Sequence, residues 1–162
     1  MKHTDLHIRA AGSGDRAALL DVWQRAVRAT HGFLAEADVR ELLPHVRAYL
    51  ASADAGLWAL CTPDDAPVGF MGLTAATIDS LFIAPEHARR GGGTRLLAFA
   101  RARAAAPLQV DVNEQNPAAL AFYLAAGFEP VGRSSTDDAG RPFPLLHLRE
   151  IAHPPHSQPP AA

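Results

Sequence analysis

Residues 78–97 read IDSLFIAPEHARRGGGTRLL, and the parsing of this stretch decides the fold. An apolar strand, Thr77 to Ile83, runs up to Pro85, which stops it because proline has no N–H to give a ladder. A short loop follows. Gly91, Gly92 and Gly93 then open an arginine-bearing helix that extends to Ala105. Glycine lets a backbone approach a ligand closely. The free N–H groups of a first helical turn, at the positive end of the helix dipole, suit a phosphate or pyrophosphate. Arg89 and Arg90 add charge beside these amides, and Thr94 closes the candidate cradle.

Around this segment the chain alternates strand and helix signals. Leu6–Ala10 reads as a first strand. Helices follow at about 15–30, with Leu19, Trp23, Ala26 and Thr30 on one face, and at about 35–51, with Val39, Leu42, Leu43, Val46 and Leu50 inward. Leu57–Thr62 and Val68–Thr74 form a hairpin around Pro63–Ala66. A strand is expected at Leu108–Asn113. Asn116–Pro117 is an N-cap followed by proline at the first helical position, and Gly127 is a natural helix stop, so a helix is expected over 117–126. Phe128–Arg133 and Phe143–Leu148 are the last strands. The order β-α-α-β-β-β-α-β-α-β-β predicts an α/β (α+β) fold with a mixed sheet and helices on its faces.

The chain has 162 residues, with hydrophobic residues at 48% and charged residues at 20%, which is globular composition and one domain over 1–150. The last stretch, HPPHSQPPAA, is proline-rich, and 151–162 is expected to be a disordered tail. A single cysteine, Cys61, excludes a disulfide framework or a cysteine zinc cluster and reads as a buried small hydrophobe. The eight histidines are scattered without HExxH spacing, so no metal is expected. No secretory signal or apolar run of membrane length is visible, so a cytoplasmic location is expected. A net charge of −2 gives no case for nucleic-acid binding.

Three phosphate-loop chemistries compete for the glycines. A Walker loop needs Gly-Lys-Ser/Thr, and Gly93-Thr94 has no lysine between. A dinucleotide fingerprint needs a third glycine where Leu96 stands, and Asp111 then only mimics its ribose acid. The antiparallel, hairpin-rich pattern before the loop is also wrong for a Rossmann half. An acyl-CoA loop, holding pyrophosphate mostly through amides, remains, beside the plainer reading of the three glycines as a turn.

Ala88-Arg89-Arg90-Gly91-Gly92-Gly93 resembles the Gln/Arg-x-x-Gly-x-Gly/Ala loop of the GNAT superfamily of N-acetyltransferases, with Ala88 departing from its first position. NPAALAFYLAAGF, Asn116 to Phe128, resembles that family's Asn…Phe-Tyr…Gly-Phe segment. ATHGFL, PVGFM, VNEQN and DDAGRPFPLLHL are similar to the YjaB-type branch of bacterial acetyltransferases, over about Ile8 to Arg149. The resemblance implies a mostly antiparallel sheet of six to seven strands flanked by four helices. It also implies direct transfer of acetyl from acetyl-CoA to a primary amine in a ternary complex. The acceptor would be a protein lysine or N-terminus, a polyamine or another small-molecule amine.

By that resemblance Leu81, Phe82 and Ile83 pair through their main chain with the pantetheine arm, as an added strand. An N–H of Phe82 or Ile83 would stabilise charge on the thioester oxygen. Tyr123 matches the tyrosine that protonates the leaving thiolate, and a phenol with a pKa near 10 can donate at neutral pH. Asn116 both caps its helix and touches the coenzyme, and Asn113 lies where the sheet opens. An alkyl amine arrives protonated, so a base or a water chain is needed. The candidates are His31, then Glu114, then Asp79. Phe33, Trp23, Trp58 and Tyr49 are candidates for the acceptor pocket or the core. The last strands could pair between subunits as a homodimer. The rival readings are a non-catalytic acyl-CoA-binding module, supported by Ala88 alone, and a nucleotide-binding protein.

Overall fold

A computed structural model describes residues 5–151. Seven strands form one mixed sheet: β1 (His7–Ala10), β2 (Leu57–Cys61), β3 (Pro67–Thr74), β4 (Thr77–Ile83), β5 (Gln109–Asn113), β6 (Phe128–Ser134) and β7 (Leu145–Glu150). The helices are α1 (Arg16–Thr30), α2 (Glu36–Ala51), α3 (Gly92–Arg103) and α4 (Pro117–Ala125). The sheet order is β1-β2-β3-β4-β5-β7-β6. All neighbours are antiparallel except β4 and β5. The expected element order and sheet size are both found. The proline-rich tail lies outside the described residues. Among the described residues no helix is long and apolar enough to cross a membrane.

Strand side chains alternate between the faces, and two cores follow. Ala59, Cys61, Phe70 and Phe82 pack with Leu19, Val22, Trp23 and Val27 of α1 and Val39 and Leu50 of α2. On the other face Leu60, Met71, Ile78, Val110 and Val112 pack with Leu96 and Leu97 of α3 and Tyr123 of α4. The first two helices thus cover β2–β4, and the last two cover the opposite face.

Some expectations are corrected. Thr30 is exposed rather than inward; its hydroxyl bonds the Ala26 carbonyl at 2.7 Å, a helix-terminal use that needs no burial. β7 begins at Leu145, because the Phe143 N–H is taken by Arg141 O at 2.8 Å. β7 also lies between β5 and β6, so of the last two strands only β6 has an open edge. That edge carries Pro130 and a bulge at Val131, since Pro130 pairs with Leu148 and Gly132 with His147. Both features oppose strand addition by a second chain.

Candidate active site

The sheet opens between its two parallel strands. β4 and β5 pair only as Thr77 with Gln109 and Ile78 with Val110. Beyond that point β4 stays with β3 while β5 stays with β7. The parting coincides with a bulge. Gly72 pairs with Ser80 and Leu73 with Ile78, which leaves Asp79 as the extra residue and bends the strand. From Ser80 to Ile83 one edge of β4 therefore faces a wedge-shaped gap.

At the end of β4 the chain turns into the glycine loop. Arg89 adopts a left-handed φ of 60° and Gly91 one of 84°. Gly91 is the α3 N-cap, and the first intrahelical bond runs from Arg95 N to Gly91 O at 3.0 Å. The N–H groups of residues 91 to 94 consequently have no helical acceptor. The three glycines have different reasons to be there. A Cβ on Gly91 would meet open space, whereas one on Gly92 would lie 2.8 Å from Leu60 Cδ2 and one on Gly93 2.9 Å from Phe122 Cζ. Only Gly91 leaves room for a ligand; the other two let α3 seat against the sheet and α4. The arginines also divide. Arg103 lies over the Trp58 and Phe99 rings at 4.3 and 4.4 Å, and Arg101 bonds Glu150 and the Ala126 carbonyl. Arg89 and Arg90 make no hydrogen bond or ion pair among the described residues and are exposed beside the free amides.

α4 enters next to the wedge. Asn116 is buried, and its Oδ1 accepts the Ala119 N–H at 3.2 Å, so it caps the helix. Asn113 serves a turn, with Oδ1 accepting from Gln115 N at 2.9 Å. Tyr123 packs edge-on against Phe122 and Phe128, in the apolar layer shared with Leu81 and Ile83. Burial pushes its phenol above the ordinary value, so it remains a proton donor. Its hydroxyl bonds nothing among the described residues. It is also absent from their sealed, unpartnered side-chain atoms, of which Arg141 Nη1 is the one instance. It therefore keeps an opening.

His31 lies on the opposite face, against Phe82 at 6.4 Å and Phe33 at 5.2 Å, and Phe33 meets Phe143 at 5.9 Å. Its tautomer follows from its partner. The Thr30 hydroxyl donates to Ala26 O, so it accepts from His31 Nδ1–H at 2.7 Å. Nε2 then carries the lone pair, and burial holds the ring below the ordinary imidazole value. Glu114 is instead committed to Arg133 by contacts of 3.0 and 2.8 Å, and Asp79, exposed at the β4 bulge, accepts the Thr74 hydroxyl at 2.6 Å.

Sequence reasoning missed a polar row beside the wedge. Asp111 Oδ1 accepts from His147 Nδ1 at 2.6 Å, and His147 Nε2 meets Ser134 Oγ at 2.7 Å. In the neutral ring Nδ1 donates to Asp111, so Nε2 is occupied by the serine proton. The three residues stand on three different strands, and the registers that set Asp111 opposite His147, with Ser134 on the neighbouring strand, join them. Tyr49 bonds Ser80 Oγ at 2.8 Å above the bulge. Trp23 is core and Trp58 packs on Phe99, so neither lines the mouth.

Residues 18–128 match the acetyltransferase (GNAT) family. The chain is 42% identical over 143 residues to the peptidyl-lysine N-acetyltransferase YjaB of Salmonella typhimurium, covering 88% of this chain and 97% of that protein. The solution structure of apo-form YjaB from Escherichia coli matches with a TM-score of 0.84 at 39% identity, over 91% of this chain and 99% of the other. A crystal structure of PaiA N-acetyltransferase from Thermoplasma acidophilum in complex with coenzyme A shares the fold at 17% identity, with a TM-score of 0.69 over 91% of this chain and 99% of that one.

Proposed function

The chain belongs to the GNAT family of acetyltransferases, and from that premise we propose that its acceptor is the ε-amino group of lysine side chains in proteins. It is an acetyl-CoA-dependent N-acetyltransferase that moves the acetyl group directly to a primary amine. The lysine assignment rests on the likeness to peptidyl-lysine acetyltransferases. The observation that carries the site is the wedge between β4 and β5, opened by the bulge at Asp79, with unpaired helix-start amides at one end.

The roles follow from what each group can do. The amides of residues 91 to 94, with Arg89 and Arg90, hold the coenzyme's pyrophosphate. Leu81, Phe82 and Ile83 offer main-chain groups to the pantetheine arm, and one of their N–H groups supports charge on the thioester oxygen. Tyr123 gives its proton to the departing sulfur and is kept protonated by its burial. His31 takes the proton of the acceptor ammonium through Nε2. Of the three candidate bases it is the one set among the rings against Phe82 of β4 with an unengaged nitrogen, whereas Glu114 is in an ion pair with Arg133 and Asp79 is exposed and holds the Thr74 hydroxyl. Neither role calls on Cys61, which is buried at the end of β2. The non-catalytic reading is not favoured, since the residues on both sides of the wedge suit proton transfer.

Thiol release from acetyl-CoA tests the assignment, measured with lysine peptides, α-amino peptides, polyamines and small amines. Release on lysine peptides well above the other classes is the expected result. Release confined to a small amine or an N-terminal amine removes the lysine assignment.

A further inference from the structure

A second cluster lies at the other end of the sheet, away from the wedge. His7, the first residue of β1, is paired in register with Cys61, the last of β2. The β2–β3 turn brings Asp65 over both. One ligand atom from each of the three residues lies within 4.8 Å of the other two. We propose that His7 Nε2, Cys61 Sγ and a carboxylate oxygen of Asp65 form a binding site for a borderline-soft divalent cation, zinc in class, with water in the fourth position.

The donor set is the first argument. An imidazole, a thiolate and a carboxylate are the three zinc-ligand types, and three protein ligands plus water make a tetrahedral site. The second is preorganisation. The cross-strand pair fixes His7 against Cys61. The turn is pinned by Asp65 N to Thr62 O at 2.8 Å and Thr62 N to Ala66 O at 3.0 Å, with Asp65 at a left-handed φ of 66°. The third is the state of the carboxylate. Asp65 Oδ1 takes both His7 Nε2 at 2.9 Å and Arg9 Nε at 2.7 Å, and the Cys61 thiol faces the same carboxylate. Arg9, the nearby cation, is itself neutralised by Asp15 through two contacts of 2.7 and 3.0 Å.

Charge balance makes the step concrete. With the thiol protonated and His7 neutral, Arg9, Asp15 and Asp65 sum to one negative charge. Binding forms a sulfur–metal bond and releases the thiol proton to solvent, and the His7 ring proton moves to Nδ1 so that Nε2 can coordinate. Thiolate, two carboxylates and guanidinium then sum to two negative charges, which the divalent ion cancels. The ion would tie the short edge strand β1 to β2 and the following turn.

The chain has one cysteine, so a thiolate signal reports on this site alone. Cobalt(II) is titrated into the reduced, metal-stripped protein. We expect one equivalent to give a thiolate-to-cobalt charge-transfer band with tetrahedral d–d bands, both erased by competing zinc. That band can arise only from Cys61. His7→Gln should weaken binding by roughly tenfold or more while leaving acetyl transfer unchanged, and zinc should raise the unfolding temperature of the parent protein but not of the variant. Absence of the charge-transfer band, or cobalt binding that His7→Gln leaves intact, overturns the site and identifies the cluster as an ion-pair network only.

Discussion

At the residue scale, the two groups proposed to handle protons are separated by what surrounds them. Tyr123 is enclosed by aromatic rings, which keeps its proton on. His31 is enclosed by rings as well, but Thr30 fixes its tautomer and frees Nε2. Tyr123→Phe should lower kcat by about 100-fold or more, the scale of a general acid, with CoA affinity by calorimetry unchanged; unaltered kcat would remove the phenol from the reaction. His31→Gln should abolish the acidic limb of the kcat/KM profile. Because burial lowers the His31 pKa, that limb should fall below the ordinary 6.5. The same shift acts on stability. The unfolded chain binds this proton more readily than the folded one, so the parent protein loses stability as pH drops through 6.5 towards the folded value. His31→Gln should flatten that slope in urea titrations at a series of pH values. The chemical types of both residues were readable in the sequence. The demotion of Glu114 was not, because its partner Arg133 stands on another strand and no local pattern joins them.

At the element scale, punctuation residues carried most of the legible information. Asn116–Pro117 gave the start of α4 and Gly127 its end, because capping and backbone chirality are local effects. Phe143 misled as a strand start because the DDAGRP loop closes on Arg141 through its own hydrogen bonds, which a hydrophobic pattern does not encode. The glycine triplet reads in sequence as a candidate ligand loop, yet two of its three members answer to packing. This distinction predicts different phenotypes. Gly91→Ala forces a side chain into a left-handed backbone at about 1–2 kcal/mol, without a clash, and should appear in denaturant stability. Gly93→Ala places a methyl against Phe122, the neighbour of Tyr123, and should lower kcat as well. Equal kinetic losses in the two variants would mean that Gly93 is not seating α3 against α4.

At the scale of the whole molecule, the sheet consists of two halves joined by very little. β1–β4 form one half and β5, β7 and β6 the other, with only two residue pairs between β4 and β5. The spacing of apolar residues told the strands apart from the helices and gave the inward faces of the first two helices. It could not tell that β4 and β5 part, because the bulge at Asp79 is a matter of register with β3. A coenzyme lying in the wedge, as proposed, would replace the missing ladder with its own amide groups and so brace the molecule where β4 and β5 share only two residue pairs. Ligand at a hundredfold excess over Kd adds about 2.7 kcal/mol, which for a chain of this size is a rise in Tm of roughly 5–10 °C. The location of the gain is more diagnostic than its size. Amide exchange should slow at 80–83 and 89–94, the open edge of β4 and the glycine loop, and should be unaltered in β1 and β2. Protection spread evenly over the sheet would show that CoA stabilises the fold without entering the wedge.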